Sequence, residues 1–110
     1  MRIQTRHVGQ GVVVELIGDV DMSNSPRLRD TLLGLLRDST GVRIIVNMEQ
    51  VNYIDSSGIA SLVEGVQAAR RFKSRLCLAG LNEGPRHVLQ LTRLLDIFEV
   101  HPSEADALSA

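Results

Sequence analysis

The residues best suited to chemistry are concentrated in Tyr53-Ile54-Asp55-Ser56-Ser57-Gly58-Ile59, where an acid and two adjacent hydroxyls precede an amphipathic run. Asp and Ser are preferred at helix N-termini because their oxygens accept from backbone N–H groups that the first turn leaves unpaired. Asp55 or Ser56 can therefore be read simply as a cap. The same position also suits a phosphoryl acceptor. A serine between a strand end and a helix start is open to a kinase. The added charge of about -1.5 to -2 meets the positive end of the helix dipole and free N–H donors. Such a modification leaves the fold intact and acts on whatever docks there, since a dianion beside Asp55 repels acidic groups and is costly to bury.

Other constellations are thin. The three histidines, His7, His87 and His101, stand at no metal-ligand spacing from one another, so each is read as a surface or helix-end residue. Cys77 is the single cysteine, which excludes an intrachain disulfide and a cysteine-based zinc cage; in an apolar strand it is expected to be a small inert hydrophobe. No metal and no cofactor is expected. There is no Gly-x-Ser-x-Gly elbow, Walker loop or dinucleotide fingerprint. Ser56 as a hydrolytic nucleophile needs an activating base, and no histidine is near it in sequence. A binding protein is expected, not an enzyme. The basic cluster Arg70-Arg71-Phe72-Lys73-Ser74-Arg75 is accounted for by cations opposing the negative end of a helix dipole. A nucleic-acid binder would interleave aromatics with more positive charge, and aromatics are only 3% of this chain.

A sequence of 110 residues with 44% hydrophobic and 23% charged content predicts a single globular domain over 1–110. Its formal net charge of -1 favours neither nucleic acid nor an anionic membrane as partner. Purely apolar stretches such as Val12-Val13-Val14 and Ile44-Ile45-Val46 fall far short of the roughly 20 residues of a spanning helix. Met1-Arg2 leads into Ile3-Gln4-Thr5-Arg6 and not into a secretory core, so a cytoplasmic location is expected.

Short apolar runs alternate with amphipathic segments. Ile3 to His7 and the β-branched Val12 to Ile17, separated by Gly9-Gln10-Gly11, predict an opening hairpin. Ser25 as cap and Pro26 as first residue start a helix carrying Leu28, Leu32, Leu35 and Leu36, ending near Thr40-Gly41. Val42 to Val46 reads as a strand buried on both faces. The helix opened by Asp55-Ser56-Ser57-Gly58 repeats Ile59, Leu62, Val63 and Val66 at helical spacing and ends around Lys73; Gly65 inside it points to tight packing. Leu76 to Ala79 is a third buried strand. A helix from Asn82-Glu83-Gly84-Pro85 gathers Val88, Leu89 and Leu91 to Leu95. Ile97 to Val100 is a last strand, and Ser103-x-x-Asp106 a capping box for a final helix. Strand–helix–strand order with short turns demands parallel pairing. The predicted fold is α/β: a small mixed sheet of four to five strands, hairpin first and parallel crossovers after, with about four helices.

Asp55-Ser56-Ser57-Gly58-Ile59 after Val42-Arg43-Ile44-Ile45-Val46-Asn47-Met48 resembles the signature of the anti-sigma factor antagonist family, the STAS domain of bacterial partner-switching systems. Gly18-Asp19-Val20-Asp21 is similar to that family's step after its second strand. Leu91 to Phe98 is similar to its late threonine-containing helix end, and Ser103 to Leu108 to its terminal helix. The ordered set spans nearly the whole chain. The resemblance implies phosphorylation of Ser56 by an anti-sigma factor that is a serine kinase, with Ser57 a lesser acceptor. It implies a partner-binding region that includes Asp21, Asp55, Ser57 and Gly58. Unphosphorylated, such a protein holds the kinase; phosphorylated, it lets go, and a metal-dependent serine phosphatase resets it. Asn47, where many relatives have Asp, is not expected to affect switching. Met22 or Ile59 could supply an apolar docking contact, Ile59 equally a core one. The lone-domain length is expected to favour the free antagonist over the STAS tail of an anion transporter, and an alternative within the fold is a non-switching subunit of a transporter or scaffold complex.

Overall fold

Each apolar run pairs with the next one along the chain. The computed structural model describes residues 1–9 and 11–110. In it β1 (Arg2–Val8), β2 (Gly11–Ile17), β3 (Arg43–Gln50), β4 (Arg75–Ala79) and β5 (Glu99–His101) form one sheet in the order β1-β2-β3-β4-β5. β1 and β2 are antiparallel, as expected of the hairpin, with Val8 opposite Gly11; Gln10 of the expected turn lies outside the described residues. The other pairings are parallel. They are connected in turn through α1 (Ser25–Asp38), α2 (Ser56–Arg71), and α3 (Glu83–Leu91) with a 3-10 turn over Leu95–Ile97. The mixed α/β sheet with four helices is thus the predicted class.

A sheet that grows in one direction through right-handed crossovers collects its connecting helices on one face. Leu28, Leu32 and Leu36 of α1, Ile59, Leu62 and Val66 of α2, and Leu89 of α3 share one core with Val12, Val14, Leu16, Ile44, Val46, Met48, Leu76 and Leu78. The alternate strand positions Val13, Ile45, Cys77 and Ala79 face the opposite way and pack under Ala107 of α4 (Glu104–Ser109). That six-residue helix is capped as the sequence predicts, the Ser103 hydroxyl accepting from the Asp106 N–H at 3.1 Å. Arg43 donates to the Ala107 and Leu108 carbonyls, and Glu104 takes bonds from Arg6 and Asn47, so charged side chains tie α4 to the sheet. Asn47 is accordingly a buried link to α4.

Several boundaries move. β3 continues past Val46 to Gln50 because Asn47 and Met48 are buried as well. α1 starts at Ser25, with Asn24 as its cap and Pro26 in the first turn. Ser25 is buried, and its carbonyl accepts the hydroxyl of buried Ser61 at 3.0 Å, joining α1 to α2. α3 stops at Leu91, which is 70% exposed and outside the expected cluster; Ile97 belongs to the 3-10 turn, and β5 begins only at Glu99.

Gly65 confirms tight packing of α2: a Cβ there would lie 3.1 Å from the Leu32 and the Leu76 Cδ1 atoms. A Cβ at Gly58 would stand 2.6 Å from Ile54 and 2.7 Å from Val20, whereas one at Gly34 meets nothing within 4 Å. Gly34→Ala in α1 should therefore raise stability by about 0.5–1 kcal/mol. Gly58→Ala, which overpacks the start of α2, should lower it by about 1–3 kcal/mol. Urea unfolding of both variants checks the opposite signs.

Candidate functional site

Two loops at the C-terminal ends of neighbouring strands β2 and β3 build the surface at the start of α2. Gly18 donates to the Gln50 carbonyl and Val20 to that of Tyr53, both at 3.0 Å, and Asp55 N–H donates to Val20 O at 3.1 Å. An isolated parallel bridge, Val20 to Ile54, continues β-type pairing beyond the strands. The Gly18–Asp21 step and the Asp55–Gly58 signature, far apart in sequence, are thereby locked side by side. Asp21 organises its own loop: Oδ1 accepts from Ser23 N–H at 2.9 Å and the Ser23 hydroxyl at 2.5 Å, while its carbonyl accepts from Ser25 N–H at 2.8 Å.

Asp55, and not Ser56, is the cap of α2. Its Oδ1 accepts from the backbone N–H of Ser57 at 3.0 Å and of Gly58 at 3.1 Å. The Ser57 hydroxyl donates to the same oxygen at 2.6 Å. These bonds favour the ionised form, so the Asp55 carboxyl is held below its ordinary range, chiefly by the Ser57 hydroxyl and then by Gly58 N–H. The two serines are thus differentiated. Ser57 is half-buried and spends its hydroxyl on Asp55, whereas Ser56 opens the helix, is exposed, and among the described residues its hydroxyl bonds to nothing. The cap therefore falls to Asp55 alone, and Ser56 is not needed for it.

Apolar side chains are exposed beside Ser56. Met22 is 76% and Tyr53 53% exposed, and a shallow groove along α2 is lined by Ser56, Ile59, Ala60, Val63, Thr92 and Leu94 with Glu64 at its edge. Ile59 is only 4% exposed and belongs to the core, reaching the groove only as part of its floor, whereas Met22 is open to solvent. Sequence reasoning includes Tyr53 in the Ser56 segment without giving it an apolar role, and it does not foresee the groove, because Thr92 and Leu94 reach α2 only through the tertiary fold. Elsewhere, His7 and His87 are exposed, but His101 is neither surface nor helix-end: it is half-buried in β5 with Nε2 2.6 Å from Glu99 Oε2. Cys77 is buried in β4, as expected. Arg70 and Arg71 close the last turn of α2, while Arg75 pairs with Glu99 across β4 and β5. Among the described residues, no helix is long and apolar enough to cross a membrane.

Residues 2–107 match the model of the STAS domain family. The anti-sigma-B factor antagonist of Staphylococcus aureus is 27% identical over 92% of this chain and 93% of its own. Among solved structures, the anti-sigma factor antagonist SpoIIAA in its unphosphorylated form superposes with a TM-score of 0.84 at 22% identity, covering 98% of this chain and 94% of that one. SpoIIAA in the phosphorylated form gives 0.77 at the same 22% identity, covering 98% and 97%. A sulfate transporter family protein from Wolinella succinogenes reaches 0.74 at 20% identity over 88% of this chain and 80% of its own. At these identities the structures establish a shared fold.

The Asp55 cap has a pH signature. A carboxylate whose folded pKa is depressed stabilises the fold above its ordinary value, and this contribution is lost as pH falls through the folded value. Thermal melts should show the wild type losing stability below about pH 4. Asp55→Asn, which can still cap, should flatten part of that acid limb, with Glu99 and Glu104, held low by Arg75 and Arg6, supplying the remainder. Asp55→Ala should lower the melting temperature at neutral pH as well.

Proposed function

The chain belongs to the STAS domain family, and on that premise we propose that it is an anti-sigma factor antagonist whose grip on an anti-sigma factor is switched at Ser56. The observation that carries this reading is the division of labour at the start of α2: Asp55 accepts the helix-end N–H groups, the Ser57 hydroxyl donates to Asp55, and Ser56 is left exposed. The relationship to anti-sigma-B factor antagonists supports the partner class.

In this reading the unphosphorylated surface made by Asp21, Met22, Asp55, Ser56, Ser57 and Gly58 docks an anti-sigma factor that is also a serine kinase. Met22 and Tyr53 supply the apolar contact, and the acidic pair Asp21 and Asp55 frames it. Transfer of a phosphoryl group to the Ser56 oxygen places a dianion next to the ionised Asp55. The helix dipole and N–H donors of α2 accommodate that charge within the fold. A partner that must desolvate it loses about a hundredfold in affinity, near 2.7 kcal/mol. A metal-dependent serine phosphatase returns the chain to the binding state. The chain acts in the cytoplasm by docking and performs no turnover of its own.

The likeness to a transporter-family structure favours one second reading, a non-switching transporter or scaffold subunit. Incubation with the cognate anti-sigma kinase and ATP, followed by phosphosite mapping, separates the two. Label should appear at residue 56 and vanish in Ser56→Ala, which should still bind the kinase but resist release. Ser56→Asp should bind about a hundredfold more weakly with an unchanged circular dichroism spectrum. Absence of label at residue 56, together with wild-type affinity of Ser56→Asp, would overturn the switch.

A further inference from the structure

The face of the sheet opposite α2 carries a constellation unconnected with Ser56. Strand register lines up Arg6, Val13, Ile45, Cys77 and Glu99 as one row across all five strands, and Gln4, Glu15, Asn47, Ala79 and His101 as the next. Residues two apart on a strand project to the same side. Cys77 therefore shares its side with Glu99 directly across and with His101 one row on. Opposite His101 is only the Ala79 methyl, which lets the imidazole lean back to Glu99, Nε2 to Oε2 2.6 Å. The Cys77 sulfur, a Glu99 carboxylate oxygen and a His101 ring nitrogen all lie within 4.8 Å of one another.

We propose that Cys77, Glu99 and His101 form a zinc-type metal site, with a water or an external ligand in the fourth position. Thiolate, imidazole and carboxylate together match the donor preferences of zinc and disfavour magnesium or calcium, which take oxygen shells. Tetrahedral zinc with bonds of about 2.0–2.3 Å sets its donors roughly 3.5 Å apart. The histidine–glutamate contact opens slightly and the sulfur draws in. The thiol is sealed at the floor, while His101 and Glu99 side chains are 17% and 31% exposed at the rim, giving the ion an entry side. Arg75 donates to both Glu99 oxygens, Nε to Oε1 at 2.7 Å and Nη2 to Oε2 at 2.6 Å, and fixes the carboxylate from outside, so it is a positioning residue. On binding, the Cys77 S–H bond breaks, a sulfur–metal bond forms and the proton leaves to solvent. Burial pushes the free thiol up to about 11, so close to one proton is released per ion at neutral pH. The single cysteine excludes a cage of thiolates and leaves this mixed set open. Separations of 22 and 24 residues hide the set from any spacing rule; parallel register creates it.

The test uses the full-length, untagged, reduced and metal-free protein titrated with cobalt(II). One equivalent should bind with a thiolate-to-cobalt charge-transfer band and tetrahedral visible bands, and zinc should displace it and raise the melting temperature. Cys77→Ala should abolish the charge-transfer band. His101→Gln and Glu99→Gln, at the rim and checked for folding by circular dichroism, should weaken cobalt binding by at least about tenfold, and Arg75→Ala by about 10–100-fold. No charge-transfer band at millimolar cobalt, or a band of equal affinity in folded His101→Gln and Glu99→Gln, overturns the proposal, whatever happens to Cys77→Ala.

Discussion

The surface at the start of α2 depends on one carboxylate oxygen. Oδ1 of Asp55 ends the loop from β3, begins α2 and occupies the Ser57 hydroxyl, all through bonds of 2.6–3.1 Å. The Asp55 backbone N–H, through Val20, binds the neighbouring loop to the same spot. A helix start normally leaves N–H groups in search of acceptors. Here a single side chain takes the Ser57 and Gly58 N–H groups and the Ser57 hydroxyl, and among the described residues the Ser56 side chain that follows it makes no hydrogen bond. A hydroxyl released from structural work can gain or lose a charged group while the scaffold keeps its shape.

This arrangement was legible in the sequence because it is local. Asp-Ser-Ser-Gly before an amphipathic run states both a cap and an exposed hydroxyl, and the β-branched runs with intervening helical periodicity state the alternation of the fold. What stayed hidden needed tertiary context. Ile59 continues the apolar series of α2 and only its neighbours in the core settle that it is inside, whereas Met22 sits in a polar loop and is outside. The leucine-rich run after Val88 reads as one helix, yet Leu91 turns to solvent and the chain breaks into a 3-10 turn. His101 was unreadable as a partner of Glu99 and Cys77, since strand register, not spacing, assembles them.

The two faces of the sheet are filled by different physics. One is covered by three helices with leucine, isoleucine and valine, the close-packed apolar burial that dominates folding free energy. The other has one short helix over Val13, Ile45, Cys77 and Ala79, and polar side chains tie down the rest: Arg43 on helix-terminal carbonyls, Arg6 and Asn47 on Glu104, Arg75 on Glu99. The Arg6–Glu104 and Arg75–Glu99 pairs, partly open to solvent, contribute little stability each.

Strand order that simply follows chain order also shapes how the molecule comes together. Every strand finds its partner in the piece of chain made just before it, and no loop longer than one helical connection has to close. Each parallel pair still joins partners that stand 32, 32 and 22 residues apart, as in Val12–Ile44, Ile45–Cys77 and Cys77–Glu99, so the non-local closures that slow a parallel sheet are met one at a time. The three-residue strand β5 stands at the far margin of that order, and the Cys77 row reaches across the sheet to it, whereas the Ser56 surface is built where β2 and β3 end.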